Sequence, residues 1–324
     1  MNDDSGGIAV LDLEPAPSDF LAEAIAGLSS SPPTLPSKFF YDERGADLFL
    51  EICELPEYYV TRTETGILEQ HAPQIAQSIG ANAELVGLGT GAGIKTRMLL
   101  QHLENPIAYV PVDISKQRLI ESAQELRRVM PTLEILPVCA DYVQRFELPQ
   151  PSRKPDHIAV HFPGSTIGNL EPQAAQAFLR QICRICRPSG GMIIGVDLQK
   201  PRAILDAAYN DSAGVTAQFN LNLLVRANRE IGANFVIECW HHRAIYNERE
   251  HRIEMHLIAE RDQLVRLGGR TFAFAAGETI ITEFSYKHTI DGFTAMAVSA
   301  GFKLSQYWTD PRQMFAVFHF TVAA

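Results

Sequence analysis

A glycine-rich segment follows the first strongly apolar stretch of the chain and could bring a ligand close to the backbone. The segment is GTGAG at residues 89–93, directly after residues 84–88. Such glycines let a ligand approach the main chain and expose amide N–H groups where a helix starts. The spacing departs from the G-x-G-x-x-G dinucleotide pattern, because Ile94 follows the third glycine. Gly89 and Gly91 are therefore candidate ligand positions, with a plain tight turn as the alternative.

Acidic residues close the next two predicted strands. Asp113 lies about 20 residues beyond the glycines, where an acid can accept hydrogen bonds from ribose hydroxyls. Asp141 and Tyr142 close the third strand, where a carboxylate could accept the adenine amino group and a ring could pack on the base. Taken singly, each acid is also typical of a turn or a helix cap. Together with the glycines, they predict an adenosine-bearing ligand at one edge of a sheet.

Two adenosine ligands fit these strand ends, a nicotinamide dinucleotide and S-adenosylmethionine. A dinucleotide needs a loop that seats its pyrophosphate, whereas S-adenosylmethionine does not. Sheets that bind S-adenosylmethionine usually close with an antiparallel hairpin. Residues 302–308 and 314–322 predict such a hairpin, joined by a turn at 309–312. We therefore favour S-adenosylmethionine.

The elements that must hold these residues alternate between strand and helix. Strands are predicted at 84–88, 108–112, 133–138, 157–162 and 192–196, and helices at 63–79, 94–103, 115–128 and 171–187. This order is typical of a parallel α/β sheet. Beyond residue 200 the pattern changes to a long helix at 203–229, antiparallel strands at 235–245, 252–260 and 263–274, and a helix at 292–300.

Composition limits the partners. The chain has 324 residues, enough for about two domains, and a net charge of −10, which argues against nucleic acid. It lacks an apolar stretch long enough to span a bilayer, and its acidic beginning differs from a signal peptide, so we expect no membrane partner. Five cysteines, an odd number, fit the reducing cytosol and a cytoplasmic location. Cys183 and Cys186 form a single CxxC on a helical run, which predicts buried thiols and no metal site.

The chain resembles the L-histidine Nα-methyltransferase family of ergothioneine biosynthesis along about residues 35–322. The motifs that carry the resemblance, in chain order, are SKFFYDERGA-x-LF (37–49), LPEYY-x-TR-x-E (55–64), GSTIGN (164–169), AGVTA-x-FN (213–220), RIEM (252–255), AAGE (275–278), TE-x-S-x-K (282–287) and WTDP (308–311). Motifs of this length in this order are specific to the family.

The resemblance implies the fold and the reaction. It implies an α/β fold with a class I Rossmann-like, S-adenosylmethionine-dependent methyltransferase core at 62–198 plus 288–324. A substrate-binding domain would comprise residues 1–61 plus 199–287. The implied enzyme trimethylates the α-amine of L-histidine stepwise to hercynine, with S-adenosylmethionine as donor and no metal. We expect a monomer, with a homodimer as the alternative.

The resemblance also assigns substrate contacts. Asn169 and Tyr209 match the positions that bind the carboxylate, and an amide N–H and a phenol are suitable donors. Glu283 and Ser285 match the imidazole-binding pair. Because they are two apart on a predicted strand, their side chains face the same way. Met255 would pack against the imidazole ring.

Further matched positions surround the reacting groups. Tyr58 would lie near the amine, and Tyr41, Thr166 and the Gly164 backbone would complete that wall. Tyrosine faces can stabilise the ammonium that grows with each methylation. We expect alignment and desolvation to supply most of the catalysis, with the amine proton passing to water or to Tyr58. Lys95 matches the lysine that reaches the carboxylate of the donor.

Some positions depart from the family pattern and keep two alternatives open. Gly87 replaces the usual acid before the glycine loop, Tyr142 replaces a phenylalanine, and Val143 replaces an acid. The first alternative is a methyltransferase for another amino acid such as tryptophan, against which Glu283 argues. The second is a non-catalytic protein that binds S-adenosylmethionine.

Overall fold

The computed structural model describes residues 9–13, 19–89 and 93–323, whose strands form one large mixed sheet and two smaller antiparallel sheets. In these residues the strands are β1 (Leu11–Asp12), β2 (Ala83–Leu88), β3 (Ala108–Asp113), β4 (Glu134–Ile135), β5 (Val138–Cys139), β6 (His157–Phe162), β7 (Gly191–Asp197), β8 (Trp240–Asn247), β9 (Arg252–Ala259), β10 (Gln263–Leu267), β11 (Arg270–Phe274), β12 (Thr279–Tyr286), β13 (Phe302–Thr309) and β14 (Phe315–Val322). The helices are α1 (Phe20–Leu28), α2 (Glu43–Glu54), α3 (Tyr59–Ile79), α4 (Ile94–Leu100), α5 (Lys116–Val129), α6 (Pro172–Cys186), α7 (Arg202–Tyr209), α8 (Val215–Ile231) and α9 (Ile290–Ser299). None of these helices is both long and apolar enough to cross a bilayer.

The large sheet has the strand order β1-β5-β3-β2-β6-β7-β14-β13, with β4 beside β3. Its pairs are parallel except those of β14, which is antiparallel to both β7 and β13. The chain leaves β2 towards β3 on one side and returns to β6 on the other. The carboxyl ends of β2 and β6 therefore flank the crevice where ligands bind in open α/β sheets. This topology confirms the predicted Rossmann-like core and its closing hairpin.

Burial explains why the core strands are so apolar in sequence. Every residue of β2 and of β7 is buried, as expected for parallel strands that are covered on both faces. Helix α6 buries one face that includes Phe178, Ile182, Cys183 and Cys186. The CxxC spacing thus places both thiols on the core-facing side of a helix.

The N-terminal segment packs with the residues that follow the core. Strands β9, β8 and β12 form an antiparallel sheet, and the segment before α2 joins its edge. Leu35 N donates to Ile281 O and Ile281 N donates to Pro33 O, both at 2.9 Å. Asn222 Nδ2 on α8 donates to Asp42 Oδ1 at 2.8 Å, which ties α8 to the start of α2. These contacts are compatible with the predicted substrate-binding domain, whose boundaries remain a prediction.

Two predicted elements beyond residue 200 are wrong. The single helix at 203–229 is two helices, because Asp211 caps α8 by accepting from Val215 N and Thr216 N, and Gly214 has φ of 73°. The strand at 263–274 is a hairpin, because Gly268 and Gly269 take left-handed φ values of 54° and 76°.

Strand boundaries also shift at two places. The predicted strand at 133–138 is interrupted between β4 and β5, where Pro137 cannot donate a ladder hydrogen bond. The predicted strand at 235–245 starts only at Trp240, after a short 3₁₀ turn at Ile237–Cys239.

Candidate active site

The carboxyl ends of β2, β3 and β5 bring the predicted donor residues together. Gly89 has φ of 54°, and a Cβ built there would lie 3.1 Å from the ring and hydroxyl of Tyr142. The Asp113 side chain is half-buried, and burial raises its pKa although Ser115 N donates to it at 3.0 Å. Burial also raises the pKa of Tyr142, and the nearby charges of Asp113 and Asp141 add to the effect. Gly91 lies outside the described residues.

Lys95 has a partner that the sequence analysis did not foresee. Its Nζ contacts Glu64 Oε2, and the Glu64 side chain is only 1% exposed. The same carboxylate accepts from Gly164 N at 2.9 and 3.0 Å. Lys95 would therefore have to share its ammonium between Glu64 and a donor carboxylate. Glu64 lies within the matched motif at 55–64, but the sequence does not indicate its contacts with Lys95 and Gly164.

The loop after β6 places Thr166 and Asn169 beside β12. Gly164 and Ser165 adopt left-handed conformations, with φ of 83° and 56°. Ser165 Oγ accepts from Asp197 N at 2.9 Å, and Thr166 Oγ1 donates to Pro163 O at 3.2 Å. These bonds fix a 3₁₀ turn over Thr166–Asn169.

A glycine lets this turn approach the second sheet. A Cβ built on Gly168 would lie 2.8 Å from Tyr286 O. The close approach brings Asn169 Nδ2 to 3.4 Å from Glu283 Oε2. A predicted carboxylate-binding residue and a predicted imidazole-binding residue are thus neighbours.

Glu283 is a carboxyl group held in an environment of low polarity. Burial raises its pKa to about 7, although Lys287 opposes the shift. Met255 lies directly opposite Glu283 in the β9–β12 ladder, so the two side chains lie on the same face. Met255 is buried, as its predicted place against a ring requires.

Tyr209 and Ser285 contact each other and share a buried lysine. Tyr209 Oη donates to Ser285 Oγ at 3.0 Å. Lys287 Nζ lies 2.7 Å from Ser285 Oγ, 3.1 Å from Tyr209 Oη and 2.8 Å from Asp197 Oδ2. Although burial disfavours its charge, Asp197 and Tyr209 hold the pKa of Lys287 above its usual range. Lys287 and Asp197 were not predicted as site residues, although the even spacing of 283, 285 and 287 on one strand indicated a shared face.

Aromatic rings form the remaining wall. Tyr41 stands edge-on to Phe49 at 5.5 Å and to Phe219 at 5.7 Å between centroids, and Tyr58 stands edge-on to Tyr209 at 6.1 Å. Tyr41 is 44% exposed and so borders open space. Burial raises the pKa of Tyr58 well above its ordinary value, so the phenol stays protonated near neutral pH. The acceptor of the amine proton, water or Tyr58, stays a prediction, and the raised pKa of the phenol favours water.

Known proteins resemble this chain in sequence and, more weakly, in structure. A family described as "Histidine-specific methyltransferase, SAM-dependent" matches residues 20–322. Histidine N-alpha-methyltransferase of Mycolicibacterium smegmatis is 39% identical over 90% of this chain and 93% of that protein. Ergothioneine biosynthesis protein 1 of Neurospora crassa is 31% identical over 86% of this chain and 32% of that protein. A solved Burkholderia thailandensis 1,6-didemethyltoxoflavin-N1-methyltransferase is 10% identical, covers 80% of this chain and 79% of its own, and has a TM-score of 0.43.

Proposed function

Because the chain belongs to the family of histidine-specific, S-adenosylmethionine-dependent methyltransferases, we propose that it methylates the α-amine of L-histidine three times to give hercynine. Membership confirms the predicted enzyme class, an S-adenosylmethionine-dependent N-methyltransferase. The name of the Neurospora crassa relative supports the further proposal that the reaction is a step of ergothioneine biosynthesis. A monomer and a cytoplasmic location remain predictions.

The donor edge has the chemistry that S-adenosylmethionine needs. Because Gly89 has no side chain, the Tyr142 ring can lie close to the backbone at the end of β2, where the ring could stack on adenine. Asp113 offers carboxylate oxygens at the end of β3, where ribose hydroxyls would donate. When bound, S-adenosylmethionine supplies a sulfonium methyl group as the electrophile. The residues of this edge would hold it with the methyl directed across the crevice.

One observation supports histidine above other amines, the half-buried carboxyl of Glu283 beside Ser285 on the same strand face. A carboxylate with a pKa of about 7 can accept an imidazole N–H, and a hydroxyl can bond the second ring nitrogen. A site built for two polar ring atoms rejects apolar rings, because its own buried groups would then stay unpaired. Asn169 stands next to this pair and could also donate to the substrate carboxylate. Tyr209 gives its hydrogen to Ser285, so its contact with that carboxylate stays a prediction.

The methyl transfer requires the protein to position the amine and the methyl donor more than to act as an acid or a base. The nucleophile is the neutral amine, so a proton must leave before the first and second transfers, and water can accept it. The third transfer acts on a tertiary amine that is already neutral. The aromatic wall of Tyr41, Tyr58, Phe49 and Phe219 can stabilise an ammonium that grows with each methyl group. Alignment within a desolvated pocket then supplies most of the rate enhancement.

The proposal is tested by mass spectrometry of the purified protein with S-adenosylmethionine and a mixture of the twenty amino acids. We expect S-adenosylhomocysteine to form only when histidine is present, with mono-, di- and trimethylhistidine appearing in turn. Turnover of tryptophan instead would replace the substrate, and a competition assay of the two amino acids measures that preference. Calorimetric binding of S-adenosylmethionine without transfer to any amine would show a non-catalytic protein.

A further inference from the structure

Lys287 uses all of its hydrogen-bonding capacity behind the proposed substrate site. An ammonium group has three N–H donors and no acceptor. The three partners of Lys287 are Asp197 Oδ2, Ser285 Oγ and Tyr209 Oη, at 2.8, 2.7 and 3.1 Å. Its side chain is 1% exposed, so water does not compete for these donors. Lys287 therefore donates to both hydroxyl groups at once.

This arrangement fixes what the two hydroxyl groups can offer a ligand. Tyr209 Oη donates to Ser285 Oγ, which then accepts from both Tyr209 and Lys287. The two lone pairs of Ser285 are used, and only its own hydrogen is left. Tyr209 Oη gives its hydrogen to Ser285 and accepts only from Lys287, so it keeps one lone pair. Ser285 Oγ can therefore only donate to a ligand.

Glu283 supplies the complementary group. It lies two residues before Ser285 on β12, and in its ionised form it only accepts. One donor and one acceptor match a neutral imidazole, which has one N–H and one nitrogen lone pair. We propose that Lys287 is a specificity-determining positioning residue, which together with Tyr209 orients the Ser285 hydroxyl to donate to the acceptor nitrogen of the substrate ring. This inference deepens the proposed function and rests on it.

Asp197 holds Lys287 in position, and its second ammonium partner, Lys200, provides a matched control. Asp197 is buried and accepts from Tyr59 Oη at 2.8 Å in addition to its contact with Lys287. Lys200 Nζ is a second buried ammonium on the same carboxylate, and it also donates to Tyr59 Oη and Leu198 O. Replacing Lys200 therefore disturbs the charge around Asp197 without touching the two hydroxyls.

The test compares ring preference in four proteins: wild type, Lys287→Met, Lys200→Met and the double variant Asp197→Asn/Lys287→Met. The substrates are histidine and the two pyrrolylalanines, each of which keeps one ring N–H and replaces the other nitrogen by carbon. The readout is the ratio of kcat/KM for histidine to that for the better pyrrolylalanine. We expect the ratio to fall about tenfold or more in Lys287→Met, since the hydroxyls are then free to accept, and to stay within about twofold in Lys200→Met.

Lys200 still balances the charge of Asp197 in Lys287→Met, whereas the double variant keeps the net charge of the wild-type cluster. The two variants therefore change the buried charge differently, and we expect the same loss of ring preference in whichever of them folds. An unchanged ratio in a folded Lys287→Met or double variant overturns the inference while leaving histidine methylation in place. A wild type that does not methylate histidine overturns the proposed function, and the role of Lys287 with it.

Discussion

Both carboxylate oxygens of Glu64 lie within hydrogen-bond distance of the backbone nitrogen of Gly164, at 3.0 and 2.9 Å. The same carboxylate contacts Lys95 at the start of α4. It also lies over β7, where a Cβ built on Gly195 would be 2.0 Å from Glu64 Oε1. One side chain of α3 thus ties together the donor side of the sheet and the loop that carries Thr166 and Asn169.

We predict that Glu64→Ala destabilises the protein by about 2–4 kcal/mol, measured by urea unfolding. The variant leaves the Gly164 N–H without its acceptor and Lys95 without its counter-charge in a site that is mostly closed to water. Glu64→Gln should cost less, because an amide oxygen can still accept from Gly164. The control is Glu69→Ala, an exposed position on the same helix, for which we expect a change within about 0.5 kcal/mol. Equal stability of the two alanine variants would refute the anchoring role.

We predict that Glu283→Gln raises the KM for histidine about tenfold or more and changes the KM for S-adenosylmethionine by less than about twofold. Glutamine keeps the size of the side chain but loses the charged acceptor for a ring N–H. Steady-state kinetics with each substrate varied in turn measures the two constants. Glu260→Gln, an exposed glutamate just beyond β9, is the control. If the KM for histidine stays at the wild-type value, Glu283 does not bind the imidazole ring.

Much of the fold could be predicted because the core strands are simple in sequence. The strand at His157–Phe162 matches its predicted bounds, and the closing hairpin matches within a residue or so. Apolar runs bounded by glycine, proline or acid suffice there. The break between α7 and α8 was missed, because it depends on side-chain capping by Asp211 rather than on hydrophobic periodicity.

The sequence predicts the residues of the site better than it predicts the contacts between them. The sequence motifs indicate Asn169, Tyr209, Glu283 and Ser285 as site residues, in two separate pairs. The structure instead places Asn169 against Glu283 and Tyr209 against Ser285, across distances of 114 and 76 residues along the chain. The first contact comes from the approach of the β6 loop to β12 and the second from the end of α7, and no local pattern records either approach. The roles of Glu64 and Lys287 were missed for the same reason.

We predict that Gly89→Ala weakens binding of S-adenosylhomocysteine about tenfold or more, measured by calorimetry. Gly89 has φ of 54°, and the new Cβ would lie 3.1 Å from the Tyr142 ring. The ring must then shift from the position in which we propose that it stacks on adenine. Gly93→Ala is the matched control, because its φ of 70° imposes similar strain while a Cβ there meets nothing within 4 Å among the described residues. Equal losses in both variants would assign the effect to backbone strain rather than to Tyr142.

We predict that Glu84→Gln becomes more stable relative to wild type as the pH rises from 5 to 8. Glu84 is 3% exposed on β2, and Oε1 has no hydrogen-bond partner among the described residues. Burial, with a smaller contribution from Glu134, raises its pKa to about 7 from an ordinary value of 4.5. A carboxyl whose pKa is raised by folding favours the folded state below the unfolded pKa, and this contribution is lost as the pH rises through the folded pKa.

Glutamine cannot ionise, so the variant keeps what wild type loses, on the order of 2–3 kcal/mol across this range. Urea unfolding of both proteins at pH 5, 6, 7 and 8 measures the difference. Glu283 titrates in the same window but is present in both proteins, so its effect cancels. Glu134→Gln should reduce the pH dependence only slightly, because burial is the larger cause. A stability difference that does not change with pH would mean that Glu84 ionises as freely in the folded chain as in the unfolded one.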